Sequence, residues 1–125
     1  MILDTTFVSD LLHEREAGRR GQASLFLARH RNQRLAITVI TVGEIAVMYS
    51  DRQHARQVLS AYRQLRLTPE IAFIAAAVDR ELIAVGGRLG ENDNWIAGFC
   101  RYYAQPVVSR DAAFDRVRSL RRLAY

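Results

Sequence analysis

In MILDTTFVSDLL, residues 1–12, three apolar residues run into a carboxylate at Asp4, and the apolar spacing then changes. MIL (1–3) reads as a short buried strand. Phe7, Val8, Leu11 and Leu12 recur at helical spacing, so a helix follows. A strand that gives way to a helix across a single acid is the unit from which the rest of the chain can be read.

The same alternation continues. EREAGRRG, with Gly18 and Gly21, is a break, and Ala23, Phe26, Leu27 and His30 mark one face of a second helix. LAITVI (35–40) is a β-branched strand, and TVGEIAVMYS starts a third helix. Ala55, Val58, Leu59, Tyr62 and Leu65 give DRQHARQVLSAYRQL an amphipathic helical stripe. Thr68-Pro69 opens another helix, with Ile71, Ile74, Val78, Leu82 and Val85 as its buried side. After the glycine turn VGGRLGEN, DNWIAGFCRYY places Ile96, Phe99, Cys100 and Tyr103 on one face. PVVS (106–109) is a further strand, DAAFDRV a short helical turn, and LRRLAY the place for a last strand. The order predicts a single α/β domain over residues 1–125, with a largely parallel sheet and helices on both faces.

Composition narrows the chemistry. The chain has 125 residues, half of them hydrophobic, enough for one core without covalent staples. Cys100 is the only cysteine, which excludes an intramolecular disulfide and suggests a buried thiol in a reducing compartment. There is no long apolar run and no basic leader ahead of one, so the expectation is no membrane span, no signal peptide and a cytoplasmic location. The net charge is +5, and all 18 basic residues are arginine. With no lysine there is no Walker A phosphate loop and no Schiff base. Arg15, Arg19, Arg20 and Arg110 are the candidate nucleic-acid contacts, since the guanidinium fork suits phosphate; the alternative is a solvated basic face. His13, His30 and His54 have no metal-binding spacing, and GxSxG is absent.

Four acids then stand out. Asp4 follows MIL, Glu44 lies just beyond LAITVI, Asp93 opens DNWIAGF, and Asp111 follows PVVS. Each taken alone reads as a helix cap, and Thr41-Val42-Gly43-Glu44 has capping-box spacing. Taken together, Asp4, Glu44 and Asp111 would line the carboxyl edge of a parallel sheet, where ligands bind. Clustered carboxylates oppose each other's ionisation, and a hard divalent cation, Mg²⁺ or Mn²⁺, relieves this. Carboxylates, a divalent ion and an arginine surface suggest metal-assisted phosphodiester hydrolysis.

The motifs MILDTT (1–6), TVGEI (41–45), NDNWIAG (92–98) and VVSRDAAF (107–114), in this order along the whole chain, resemble the PIN-domain family, particularly VapC-type toxin ribonucleases. The resemblance implies a parallel sheet of about five strands and Asp4, Glu44, Asp93 and Asp111 around one or two Mg²⁺ or Mn²⁺ ions. It implies an endoribonuclease that leaves a 5′-phosphate and a 3′-hydroxyl, with Thr6 and Thr41 supporting the site by hydrogen bonds. Asp115 is a possible further member, though solvent is the expected place for it. Gly98, where relatives often carry alanine, is expected to be a mild departure. Members are usually homodimers paired with a small antitoxin whose tail covers the active-site groove. Relatives similar to FitB imply an alternative, a regulatory module that holds nucleic acid with its partner and cleaves little.

Overall fold

Strand β1 (Ile2–Leu3) passes through Asp4 into helix α1 (Thr5–Glu16), in a computed structural model that describes residues 1–125. Helix α2 (Gln22–Arg29) follows the glycine break, then β2 (Ala36–Thr38), α3 (Val39–Ala46), α4 (Arg52–Leu59) and β3 (Arg63–Leu65). The long helices α5 (Pro69–Ala84) and α6 (Glu91–Tyr102) lead to β4 (Val107–Val108), a 3₁₀ turn over Ala112–Arg116, and β5 (Arg122–Leu123). All five strands pair in parallel in the order β3-β2-β1-β4-β5.

Period-two alternation along the strands sorts the core into two halves. Met1 and Leu3 join Phe7, Val8, Leu11, Phe26, Ile37 and Ile45 on one face of the sheet. Ile2, between them, points to the other face with Ile71, Val78, Leu82, Ile96, Phe99 and Phe114. Val107 and Val108 divide in the same way. The two-residue strands β1 and β4 are buried on both faces, while β5 at the edge is half-buried.

Three expectations are corrected. LAITVI does not stay extended to residue 40: the Thr38 hydroxyl accepts from the Thr41 amide at 3.2 Å and starts α3 at Val39. The stripe that ran to Leu65 ends with α4 at Leu59, and Arg63–Leu65 is an edge strand beside β2. Tyr62 and Leu65 have helical spacing in sequence but join opposite halves of the core, as residues three apart in an extended chain must. Val85 lies just past the end of α5 and is exposed.

Gly98 is more than a mild departure. A Cβ there would come within 2.7 Å of the Ala75 Cβ, so the glycine sets how closely α6 lies on α5. Elsewhere, Gly21 caps α2 without a side chain, and the buried Glu14 carboxylate of α1 takes over the role. It accepts from the amides of Ala23 at 3.0 Å and Ser24 at 2.8 Å, and from the Ser24 hydroxyl.

Candidate active site

The central strand β1 has β2 on one side and β4 on the other, so the connections diverge at the carboxyl end of β1, the topological position at which parallel sheets open a crevice. Asp4 sits there, 3% exposed, with its amide on the Val108 carbonyl at 3.2 Å and its carboxylate accepting from the Phe7 amide at 2.7 Å. Asp111 ends the neighbouring β4 segment and accepts from the Ala113 amide at 2.8 Å. Both acids are helix caps, and both also face the crevice edge.

Glu44 is not a cap. Because α3 starts at Val39, Thr41 lies in its first turn and Glu44 a turn further in, too far along to reach back to the cap amide. Its carboxylate instead bridges to other elements, accepting from the Thr5 hydroxyl of α1 and from Asn92 Nδ2 of α6 at 2.6 Å. Asp93 is the third residue of α6 and follows a glycine N-cap.

Electrostatics tie the four acids together. Burial pushes Asp4 up to about 6, with the Asp93 and Asp10 charges adding to the rise and hydrogen bonds from Ser109 and the Phe7 amide opposing it. Burial likewise raises Asp93, and the charges of Asp111 and Glu44 raise it further. Asp93 thus lies within reach of the Asp111 and Glu44 charges, and Asp4 within reach of that of Asp93. None of the four forms an ion pair with an arginine.

Such a set fits a hard divalent cation: oxygen donors only, with Asp4 and Asp93 raised by burial and none of the four in an ion pair. In the side-chain positions described, no three acids stand close enough to grip one ion. The reason is visible, because Glu44 is turned to Thr5 and Asn92 while Asp4 and Asp111 each hold an amide.

The supporting residues differ in part from those expected. Thr41 is fully buried, with its hydroxyl 3.3 Å from that of Thr38 and 3.4 Å from that of Thr5. Thr6 is exposed, and it is Thr5 that bonds Glu44. Ser109, fully buried, accepts from the Asp111 amide at 3.0 Å and lies near enough to Asp4 to oppose the rise of its pKa. The position of Ser109 in VVSRD was its only signal. Thr5 and Asn92 likewise had only their places in MILDTT and NDNWIAG, since their partner Glu44 is 39 and 48 residues away.

Asp115 is turned to Arg122, which holds both its oxygens at 2.9 and 2.7 Å, so it does not join the other acids. Arg15, Arg19 and Arg20 line a shallow groove with Gly18, Ser24 and Leu27 at the far end of α1 from Asp4, about 16 Å along the helix. Arg110 alone of the four candidate arginines lies beside the acids. His30 is structural, bonding the Phe26 carbonyl and stacking on its ring, while His13 and His54 are exposed. Burial raises the Cys100 thiol far above its ordinary range, as suits an inert core residue.

The family model described as PIN domain matches residues 1–120. No curated protein matches the sequence. Among solved structures, VapBC2 from Rickettsia felis bound to a DNA fragment from its promoter superposes with a TM-score of 0.80 at 17% identity, over 98% of this chain and 96% of that one. VapBC-1 from nontypeable Haemophilus influenzae gives 0.79 at 20% identity, over 98% and 96% of the two chains. FitAcB from Neisseria gonorrhoeae gives 0.76 at 19%, over 98% and 95%. At these identities the likeness is one of fold.

Proposed function

The chain belongs to the PIN-domain family, and from that premise we propose that it is a Mg²⁺-dependent endoribonuclease and the toxin half of a toxin–antitoxin pair. The observation that carries this reading is that Asp4 and Asp111 follow the neighbouring strands β1 and β4, while Glu44 of α3 is bonded to Thr5, next to Asp4, and to Asn92, next to Asp93. Asp4, Glu44, Asp93 and Asp111 would hold the ion, for which Mn²⁺ could substitute. When bound, a divalent cation supplies Lewis acidity toward the phosphodiester and a more acidic water.

The chain's own residues do the rest. Ser109 holds the Asp111 amide, and Thr5 with Asn92 tethers Glu44 between two helices; on ion binding, Glu44 would leave these contacts and turn toward the other acids. Hydrolysis adds the water oxygen to phosphorus and breaks the bond to O3′, leaving a 5′-phosphate and a 3′-hydroxyl. Glu44 of α3, once released from Thr5 and Asn92, would orient a water or accept its proton. A small antitoxin and a second copy of the chain are the proposed partners, and exposed Val39, Val47, Met48 and Phe73 are apolar surface such partners could cover. No helix is long and apolar enough to cross a membrane.

Calorimetric titration of Mn²⁺ into the isolated chain tests the site without a known substrate. Saturable binding abolished by Asp4→Asn and by Asp93→Asn, with metal-dependent cleavage of RNA over DNA, is the expected result. Binding indifferent to both substitutions would reduce the acids to caps.

A second reading is favoured by the likeness to FitAcB: a module that holds nucleic acid with its partner and scarcely cleaves. It requires salt-sensitive nucleic-acid affinity that survives Asp4→Asn and no metal-dependent turnover.

A further inference from the structure

Four arginines form ion pairs in this molecule, and three are closed forks. Arg88 lays two nitrogens on Asp79 at 2.8 Å each, Arg101 two on Glu81 at 2.8 Å each, and Arg122 two on Asp115 at 2.9 and 2.7 Å. Arg110 is different. Its Nη1 alone meets Asp10 Oδ2 at 3.0 Å, and its side chain is 61% exposed. The remaining donors of its guanidinium face outward, one residue before Asp111.

Asp10 is itself held. Tyr125, which follows β5, donates its phenol to the same Oδ2 at 2.8 Å, and its ring packs edge-on against Phe7 with centroids 4.6 Å apart. Phe7 is the residue whose amide caps onto Asp4. A rigid aromatic stack on the first turn of α1 therefore fixes the carboxylate that fixes the arginine.

Such an anchor solves a physical problem. A guanidinium one residue before Asp111 and free of any partner would pair with that carboxylate and compete with a metal ion for it. A single-point contact to Asp10 competes with that pairing while leaving the fork open, and an open fork matches two oxygens of a phosphate.

We infer that Arg110 grips a backbone phosphate of single-stranded RNA at the rim of the carboxylate site, and that Asp10 and Tyr125 are positioning residues that hold it there. The inference rests on the nuclease reading above and adds to it the residues that seat the substrate.

The test is fluorescence anisotropy with a labelled, mixed-sequence single-stranded RNA over a salt series, with Ca²⁺ replacing Mg²⁺ to hold back cleavage. Arg110→Ala should weaken binding about tenfold, the loss of one charge-assisted contact, and reduce the slope of log affinity against log salt by about 0.7. Tyr125→Phe keeps the ring on Phe7 and should weaken binding about threefold in the native background, but not at all once Arg110 is alanine. Arg110→Lys should restore the salt slope and only part of the affinity. In Mn²⁺ turnover the same variants should raise KM and leave kcat nearly unchanged.

Unaltered affinity and slope in Arg110→Ala would overturn the inference, as would a Tyr125→Phe effect of equal size with and without Arg110. The two readings separate cleanly. Mn²⁺ binding and cleavage that depend on Asp4 while Arg110→Ala is silent would sink this inference alone; Mn²⁺ binding indifferent to Asp4→Asn, or no RNA binding by the native chain, would sink both.

Discussion

At Asp4, the demands of folding and of the site oppose each other. The carboxyl is buried beside other acids, and its pKa of about 6 lies above the ordinary value of 3.8. The folded state therefore binds the proton more tightly than the unfolded chain. The stability that follows is present below the unfolded pKa and is lost as pH rises through about 6. In chelator-treated protein at neutral pH, Asp4→Asn should thus raise stability by roughly 1–3 kcal/mol in urea melts and flatten the dependence between pH 4 and about 6. A variant less stable than the native chain, with the slope intact, would mean that Asp4 is a net stabilising cap. Gly98 makes the opposite trade. Alanine would gain about 1 kcal/mol in helix propensity, but the clash of its Cβ with Ala75 forces α5 and α6 apart, at about 1–3 kcal/mol. Gly98→Ala should therefore lower the urea midpoint while leaving Mn²⁺ affinity within about twofold, since residues 91–93 precede the strained contact. An unchanged or raised midpoint would show that the helix pair can adjust at no cost.

Among the elements, α2 depends on a residue outside itself. Its N-cap, Gly21, offers no side chain, and the Glu14 carboxylate receives the first amides instead. Burial works to raise the Glu14 pKa, but the hydrogen bonds from Ser24, Ala23 and Gly21 outweigh it and hold the group below the usual carboxylate range. A depressed folded pKa gives stability that is present above the unfolded pKa and is lost as pH falls through the folded one. Glu14→Ala should cost about 2 kcal/mol at neutral pH, the loss of a cap plus the exposure of buried amides, with a smaller penalty near pH 3. Fluorescence-monitored urea unfolding at the two pH values measures both. An equal penalty at both would show that packing of the Glu14 stem, not its charge, carries the effect. The Gly21 position belongs to the same device, because an added Cβ would collide with Glu14 Oε1.

Over the whole molecule, what was legible in the sequence was what repeats locally. The run from MIL through Asp4 to Phe7 and Leu11 showed the first strand and helix, and PVVS showed β4, because strand and helix periods are properties of neighbouring residues. Residues 63–65 misled because an edge strand of three residues carries no alternation long enough to compete with the stripe before it. The ends of four elements named the acids, but not the residues that hold them: Thr5, Asn92 and Ser109 are set by the crossing of α1, α3, α6 and β4, which no spacing encodes. The same crossing gives the site a global consequence. Asp4 and Asp93 belong to opposite ends of the chain, and an ion held by both would join β1 to α6 in the folded state only. Ligand linkage then predicts a gain of about 2.7 kcal/mol at a hundredfold excess of Mn²⁺ over its Kd, or roughly 10 °C in melting temperature for a domain of this size. Differential scanning fluorimetry should show that rise in the native chain, its reversal by chelator, and its absence in both Asp4→Asn and Asp93→Asn. A rise lost in Asp4→Asn but kept in Asp93→Asn would confine the ion to the two strand ends, with Asp111 and Ser109 as neighbours and α6 left out. The contacts argue for the full set, since Glu44 is bonded both to Thr5, the neighbour of Asp4, and to Asn92, the neighbour of Asp93.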